Sequence, residues 1–380
     1  MSVRSTRIRS SVANRRPMAV IHQTTAPKLR KTGDAAGAAV PEPPAPVRLA
    51  VYKPNTQSLQ EYLIYWLHNV KRGALKPTSY DTLERVVLSY IQGTELGATP
   101  LSRVTPELIQ GHLLRLKDDD YSYSTCKKVY DCLGASLRYA CQRKLLRDNP
   151  MDLVTMPNRA LFDAAKVTYF TAAESKLILE ECFRTTSTGE LKHWYGPCFA
   201  LLLLSGLRAG ELLGLHKDDF DAERAVLSVR RSVCKVRNRD SEGNVIPGFT
   251  LQETTTKSYS GTREIPLTPQ AVLAIEHLMS RTLYGSERLV LNSKGNMPSH
   301  EQIGRSFHNL LRAINLQPTG VHTLRHTYAS LLFAARTDIK SISSLLGHAS
   351  ATITLGIYIH IADTIPHSVV DPLEVLLGVS

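Results

Sequence analysis

The sequence predicts a mostly α-helical chain with a small antiparallel β-sheet, divided into a helical bundle and an α+β unit. Three observations predict it. From Ser58 onward, Leu59, Tyr62, Leu63, Trp66, Leu67 and Val70 recur at helical spacing, which lays one apolar stripe along a helix. Asn149-Pro150 then breaks the helical pattern, and Met151–Lys166, with Pro157, Asn158 and Arg159, suits an extended crossing between two units. Beyond it, Ala225–Val236 alternates and is rich in valine, with Phe249–Thr255 and Thr262–Leu267 to complete a small sheet.

The elements follow in order. Residues 1–56 have no hydrophobic periodicity and include the Ala/Pro-rich stretch Ala35–Pro46, so they read as a flexible arm. That arm holds +8 of the formal +12 charge, the electrostatic pattern of a segment that meets nucleic acid, although a solvated tail would share it. Residues 57–150 supply further helices at Ser79–Ile91, at Pro106–Lys117 capped by Thr105, and at Ser124–Leu146. Four helices in so short a span make a bundle. On the last of them, Lys127, Lys128, Arg138, Arg143 and Lys144 suit a phosphate-facing surface, and equally a solvated one. Residues 151–166 form the linker. Within 167–380, Thr171 caps a helix through Cys182, and Tyr195–Ser205 is an almost wholly apolar helix that stops at Gly206. After the strands, helices resume at Pro269–Leu283 and continue to the end.

Composition narrows the class. A hydrophobic content of 43% and a charged content of 21% are those of a soluble globular chain. The six cysteines show neither a C-x-x-C pair nor a zinc spacing, which points to reduced thiols in an intracellular protein. No apolar run approaches the roughly 18 residues that span a bilayer, so no membrane partner is expected. Arg4, Arg7, Arg9, Arg15 and Arg16 precede no apolar segment of a secretory signal; a transit peptide would share their composition.

The chemistry-bearing residues lie in the second unit. His322-Thr-Leu-Arg325-His326 is followed by Leu346-Gly347-His348 and, ten residues further, by Tyr358. Upstream stand Ser205-Gly206-Leu207-Arg208-Ala209-Gly210-Glu211 and Lys257. Arginine presents a planar fork that matches phosphate oxygens, histidine moves protons near neutral pH, and a tyrosine hydroxyl serves as a nucleophile once it is helped to ionise. Glu211 is placed to orient the Arg208 guanidinium or a neighbouring histidine. Lys257 falls in a segment that reads as a hairpin turn with Ser258–Gly261 at its tip, and Arg263, the competing basic residue there, is expected to face DNA. His322 and His326 have the spacing of a zinc pair on a helix, but the metalloprotease pattern needs a glutamate where Thr323 stands; His326 reads instead as a packing or orienting residue.

Taken together, Arg208, Lys257, His322, Arg325, His348 and Tyr358 appear in the order of the tyrosine recombinase (phage integrase) family, which residues 58–365 resemble. The resemblance implies a helical core-binding domain and an α+β catalytic domain closing as a clamp on duplex DNA. It implies that Tyr358 attacks the phosphate, Arg208, Arg325 and His348 hold it, His322 moves the tyrosine proton, and Lys257 protonates the departing 5′-oxygen. A covalent 3′-phosphotyrosine would result, with no cofactor or metal needed, in keeping with the lack of a G-x-x-x-x-G-K-[ST] loop. The partners implied are double-stranded recombination sites, a homotetramer assembled on DNA and, as an optional addition, an accessory DNA-bending or directionality protein. The place implied is the cytoplasm, with the nucleoid of a prokaryotic host. A type IB topoisomerase runs the same chemistry, and a silent DNA-binding regulator could share the scaffold; the small helical domain and Leu346-Gly347-His348-x-Ser350 favour a recombinase. The basic arm favours an integrase of a phage or mobile element over a chromosome-dimer resolvase.

Overall fold

The computed structural model describes residues 57–162, 168–255, 262–281 and 285–348. The arm, Lys257 and Tyr358 lie outside the described residues, as does the C-terminal segment from Ala349.

The first body is a bundle of α1 (Leu59–Trp66), α2 (Pro77–Tyr90), α3 (Glu95–Ala98), α4 (Pro106–Asp118) and α5 (Tyr123–Gln142). Its helices begin where the sequence supplies caps. Ser58 and Glu61 form a capping box at α1, and the Thr105 hydroxyl accepts the Leu108 amide at 3.4 Å at α4, which satisfies donors that a helix start leaves without partners. The stripe beginning at Leu59 is buried: Tyr62, Leu63, Trp66 and Leu67 pack with Ile109, Val129 and Leu133. The α1 helix relaxes into a π-turn over Leu67–Lys71. The last helix ends at Gln142, short of the expected Leu146, because Lys144 turns into a left-handed conformation at φ 58°. Met151 and Val154, at the start of the expected linker, are buried in this same core.

The second body starts with α6 (Ala172–Cys182), capped by Thr171 and Glu174, and α7 (Gly196–Ser205), which is buried nearly throughout. A short α8 (Ala209–Leu213) follows, then β1 (Phe220–Asp221), β2 (Val226–Val229), β3 (Arg231–Arg239), β4 (Val245–Thr255) and β5 (Arg263–Pro266). The expected single strand Ala225–Val236 is two strands that part at Arg230, and the expected single sheet is two. The β2 strand pairs with β1 and β5, whereas β3 pairs only with β4 among the described residues. Among the described residues β4 and β5 belong to different sheets, and the expected turn at Ser258–Gly261 with Lys257 lies outside them. Four more helices follow among the described residues: α9 (Pro269–Ser280), α10 (His300–Ala313), α11 (His322–Ala334) and α12 (Ile339–Leu346). Phe199 on α7 and Phe307 on α10 meet at 5.0 Å in the centre of its core. The α11 helix packs on α7 and α12, and its Thr327 hydroxyl accepts the Phe170 amide at 2.9 Å.

The two bodies touch where the β3–β4 hairpin reaches α2. Arg239 bonds Glu84 at 2.9 and 2.8 Å and Asp81 at 2.5 Å, and its guanidinium lies 4.7 Å from the Tyr80 ring centre. Arg72 donates to the backbone carbonyls of Ser241 and Glu242 at the hairpin turn. Among the described residues no helix is long and apolar enough to cross a membrane.

Candidate active site

The end of α12 is the centre of the site. This helix stops at Gly347, which sits left-handed at φ 64°, a conformation that costs other residues strain. Its last turn exposes carbonyls without helical partners, and three arginines take three successive ones. Arg263 Nε donates to Leu345 O at 2.7 Å, Arg325 Nη2 to Leu346 O at 2.6 Å, and Arg208 Nη2 to Gly347 O at 3.4 Å. The partial negative charge of a helix C-terminus favours cations there. His348 follows directly and is half-buried.

Each arginine arrives by a different route. Arg208 stands between α7 and α8, where Gly206 turns the chain with φ 66°. A Cβ at Gly206 would lie 2.4 Å from Tyr328 Cδ1 and 2.9 Å from Leu346 Cδ2, so both the turn and the packing of α11 and α12 require glycine. Arg325 lies in the first turn of α11, is 3% exposed, and also donates from Nη1 to Gly206 O at 2.7 Å. One guanidinium thus ties the turn that presents Arg208 to the end of α12. Arg263, expected to face DNA, points inward instead: its side chain is 6% exposed and grips Glu211. The alternation of β5 explains this, because Arg263 shares a strand face with the fully buried Ile265.

Glu211 is itself buried. It accepts from Arg208 Nη1 at 2.6 Å and from the Arg208 amide at 2.9 Å, and from Arg263 at 3.2 and 2.9 Å. Burial pushes its pKa up, but Arg263 and Arg208 outweigh that and hold the carboxyl below its usual range. Glu211 thus bonds two guanidiniums at once.

The histidines share the same positive surroundings. His322 is exposed at the start of α11, its ring 4.7 Å from that of His326 in an edge-to-face contact. Desolvation by the surrounding protein, then His326, Arg325 and Arg208, lower its pKa to about 4. His348 is lowered to about 4 by burial and then by Arg325, Arg208 and Arg263, and His326 is lowered by burial and Arg325. Burial and Arg208 also push Arg325 below the usual arginine range. Desolvation leads in all four groups, and the neighbouring positive charges, which an anion would offset, add to it. Among the described residues no group of three His, Cys, Asp or Glu side chains is placed to hold a metal ion.

The structure therefore brings together Arg208, Arg325, His322 and His348, with Glu211 and His326 beside them. Lys127, Lys128 and Arg138 lie exposed on α5, with Lys127 paired to Asp131 at 2.9 Å, and Arg143 and Lys144 are exposed just past its end.

Three arginines and three histidines thus gather near one helix end of the α+β unit. Residues 169–364, just over half of the chain, match the phage integrase family, and the chain belongs to it: it is a tyrosine recombinase, an enzyme that cleaves and rejoins DNA. It is 26% identical over 339 residues to a XerC-like tyrosine recombinase of Caldanaerobacter subterraneus subsp. tengcongensis, covering 84% of this chain and 82% of that protein. The fold is similar to the Tn1549 transposon integrase in complex with circular-intermediate DNA, with a TM-score of 0.67 at 22% identity over 84% of this chain and 98% of that one. It is also similar to lambda integrase, solved as a tetramer on a Holliday junction, with a TM-score of 0.57 at 17% identity over 80% of this chain and 78% of that one.

Proposed function

We propose that the chain integrates and excises a phage or other mobile element by breaking and rejoining duplex DNA through a 3′-phosphotyrosine. The Tyr358 oxygen attacks the scissile phosphorus and its proton passes to His322. The P–O5′ bond breaks, and Lys257 gives a proton to the departing oxygen. One phosphoester replaces another, so a 5′-hydroxyl from a second duplex reverses the step with new partners. Arg208 and Arg325 hold the non-bridging oxygens as charge builds on them, and the His348 ring donates a further bond.

The observation that carries this reading is the convergence of Arg208, Arg325 and His348 on the end of α12, ten residues before Tyr358 in sequence. The low pKa of His322 leaves it neutral and proton-accepting at pH 7. An arriving phosphate offsets the surrounding positive charge and raises that pKa towards the range of an effective base. On the bundle, Lys127, Lys128, Arg138, Arg143 and Lys144 would meet the DNA backbone, which supplies sequence-independent affinity. By analogy with lambda integrase, four copies would assemble on two duplexes, acting on the nucleoid in the cytoplasm, with an accessory bending or directionality protein as a further partner.

The test uses nicked duplexes made from the DNA flanking the gene, incubated with wild type and Tyr358→Phe. An adduct resistant to SDS in wild type alone, mapping to Tyr358, is expected. An adduct that persists in Tyr358→Phe, or retarded DNA without any adduct in wild type, would overturn the assignment.

A further inference from the structure

Arg263 is among the most enclosed charged groups of the site, at 6% side-chain exposure, and no step of the proposed reaction uses it. Among the described residues its donor nitrogens reach Glu211 and the end of α12. Nη1 and Nη2 grip Glu211 at 3.2 and 2.9 Å, and Nε holds Leu345 O at 2.7 Å. Both targets lead to groups that would touch the phosphate. Glu211, itself 3% exposed, also holds Arg208 at 2.6 Å, and Leu345 lies three residues before His348.

Charge decides what Arg263 does. A buried carboxylate demands a cation. With Arg263 in place, Glu211 is neutralised by a second cation that shares both of its oxygens with Arg208, and the charge of Arg208 remains for the substrate. Without it, Arg208 is the remaining cation on Glu211 among the bonds described here, and the Coulomb pull in this enclosed ground draws the guanidinium back from the phosphate. The same loss frees the Leu345 carbonyl and loosens the turn from which His348 emerges.

We propose that Arg263 is a positioning residue for strand cleavage: it neutralises and fixes Glu211 so that Arg208 is aimed at the scissile phosphate, and it fixes the end of α12 ahead of His348. The inference rests on the proposed role of Arg208.

The full-length chain is assayed on the nicked duplex for the rate of adduct formation, and by mobility shift for DNA affinity, with Arg263→Met, Arg263→Lys, Glu211→Gln, Arg208→Ala and the double variant Glu211→Gln/Arg263→Met. Arg263→Met is expected to slow cleavage on the order of 100-fold, the scale of a misaimed reacting group, with DNA affinity kept at the wild-type value. Arg263→Lys restores the charge but not the fork and is expected to fall between. The decisive readout is the double variant. Removing the carboxylate's charge releases Arg208, so the double is expected to cleave faster than Arg263→Met alone, whereas a packing defect would make it slower. If Arg263→Met does not fold, the comparison is made between Arg263→Lys and Glu211→Gln/Arg263→Lys.

Wild-type cleavage by Arg263→Met, or a double variant slower than the single, would overturn the inference. If Arg208→Ala also cleaves as wild type does, the reading of Arg208 itself fails. If Arg208→Ala is inert while Arg263→Met is unaffected, only the role given to Arg263 falls.

Discussion

Replacing Arg239 with methionine removes the cation shared between the bundle and the β3–β4 hairpin. In the structure it bonds both Glu84 oxygens and Asp81, and Glu84 and Asp81 are 6% and 15% exposed. The nearest other cation to Glu84 is Arg237, at 3.8 Å, which is too long for a hydrogen bond. Breaking a buried pair by deleting one partner costs about 3–5 kcal/mol, because a carboxylate is left in dry surroundings. That figure is a ceiling here. The stranded carboxylates recover water if the hairpin lifts off α2, so the defect is limited by what else holds the interface: the Arg72 bonds to Ser241 and Glu242 and the Arg237 amide on Asp81 at 2.9 Å. The expected result is loss of coupling between the two bodies rather than collapse of either. The chain's two tryptophans make this readable, since Trp66 is buried in the bundle and Trp194 belongs to the α+β body. Urea unfolding is followed in Trp194→Phe, which reports the bundle, and in Trp66→Phe, which reports the rest. With Arg239 present the two transitions coincide; with Arg239→Met the bundle melts at lower urea and the transitions separate. Adding Asp81→Asn and Glu84→Gln to Arg239→Met should close part of the gap, because neutral groups tolerate the dry interface. Coincident transitions at an unchanged midpoint in Arg239→Met would refute the reasoning.

Two further outcomes follow from the site. His322 and His348 have folded pKa values of about 4 against an ordinary 6.5, so between those values the unfolded chain binds more protons. Their contribution to stability is full above about pH 6.5 and drains away as pH falls towards 4; imidazole NMR titration should show both titrating low in the free protein and moving upward when DNA is added, and titration near 6.5 in free protein would contradict this. Gly206→Ala places a Cβ 2.4 Å from Tyr328 at φ 66°, combining left-handed strain of about 1–2 kcal/mol with overpacking of about 1–3 kcal/mol; thermal unfolding should show a drop of that order, with cleavage falling too because Gly206 O anchors Arg325.

Much of this was legible from local signals, and what was not legible has a common reason. The caps at Thr105 and Thr171 and the glycine stops at Gly206 and Gly347 are fixed by one or two residues each, so the sequence places them closely. Strand partnership is different. Alternation assigns a face and says nothing about the neighbour. Leu227, Val229 and Val233 stay in phase and buried across Arg230, yet the pairing passes from β5 to β4 at that point. The same blindness hid Arg263, which reads as one more basic residue near a DNA-facing turn until its strand face is known. The ion pairs of Asp81 and Glu84 on α2 also look like solvated helix charges, because their partner Arg239 lies more than 150 residues away. Arg208, Arg325 and His348 were recognisable by order and spacing, but the carbonyl row that gathers them is backbone, which no residue type announces.

That carbonyl row explains how a cluster of cations persists without its anion. Arg325 is almost fully buried and, with Arg208 and Arg263, would repel if left in dry ground. Three carbonyls at the negative end of a helix offset part of that charge, a helix C-terminus carrying about half an elementary charge. Part is the important word. Burial first, and then the neighbouring arginines, hold His322, His326 and His348 below their ordinary range, and the arginines' share is what a full anion would offset. Preorganisation and attraction are thereby met by one arrangement: the helix end holds the guanidiniums in place, and its incomplete charge leaves the site in want of a phosphate. Under the proposed mechanism, the arginines form the fixed frame of the site, and the tyrosine follows that helix end ten residues after His348 in sequence.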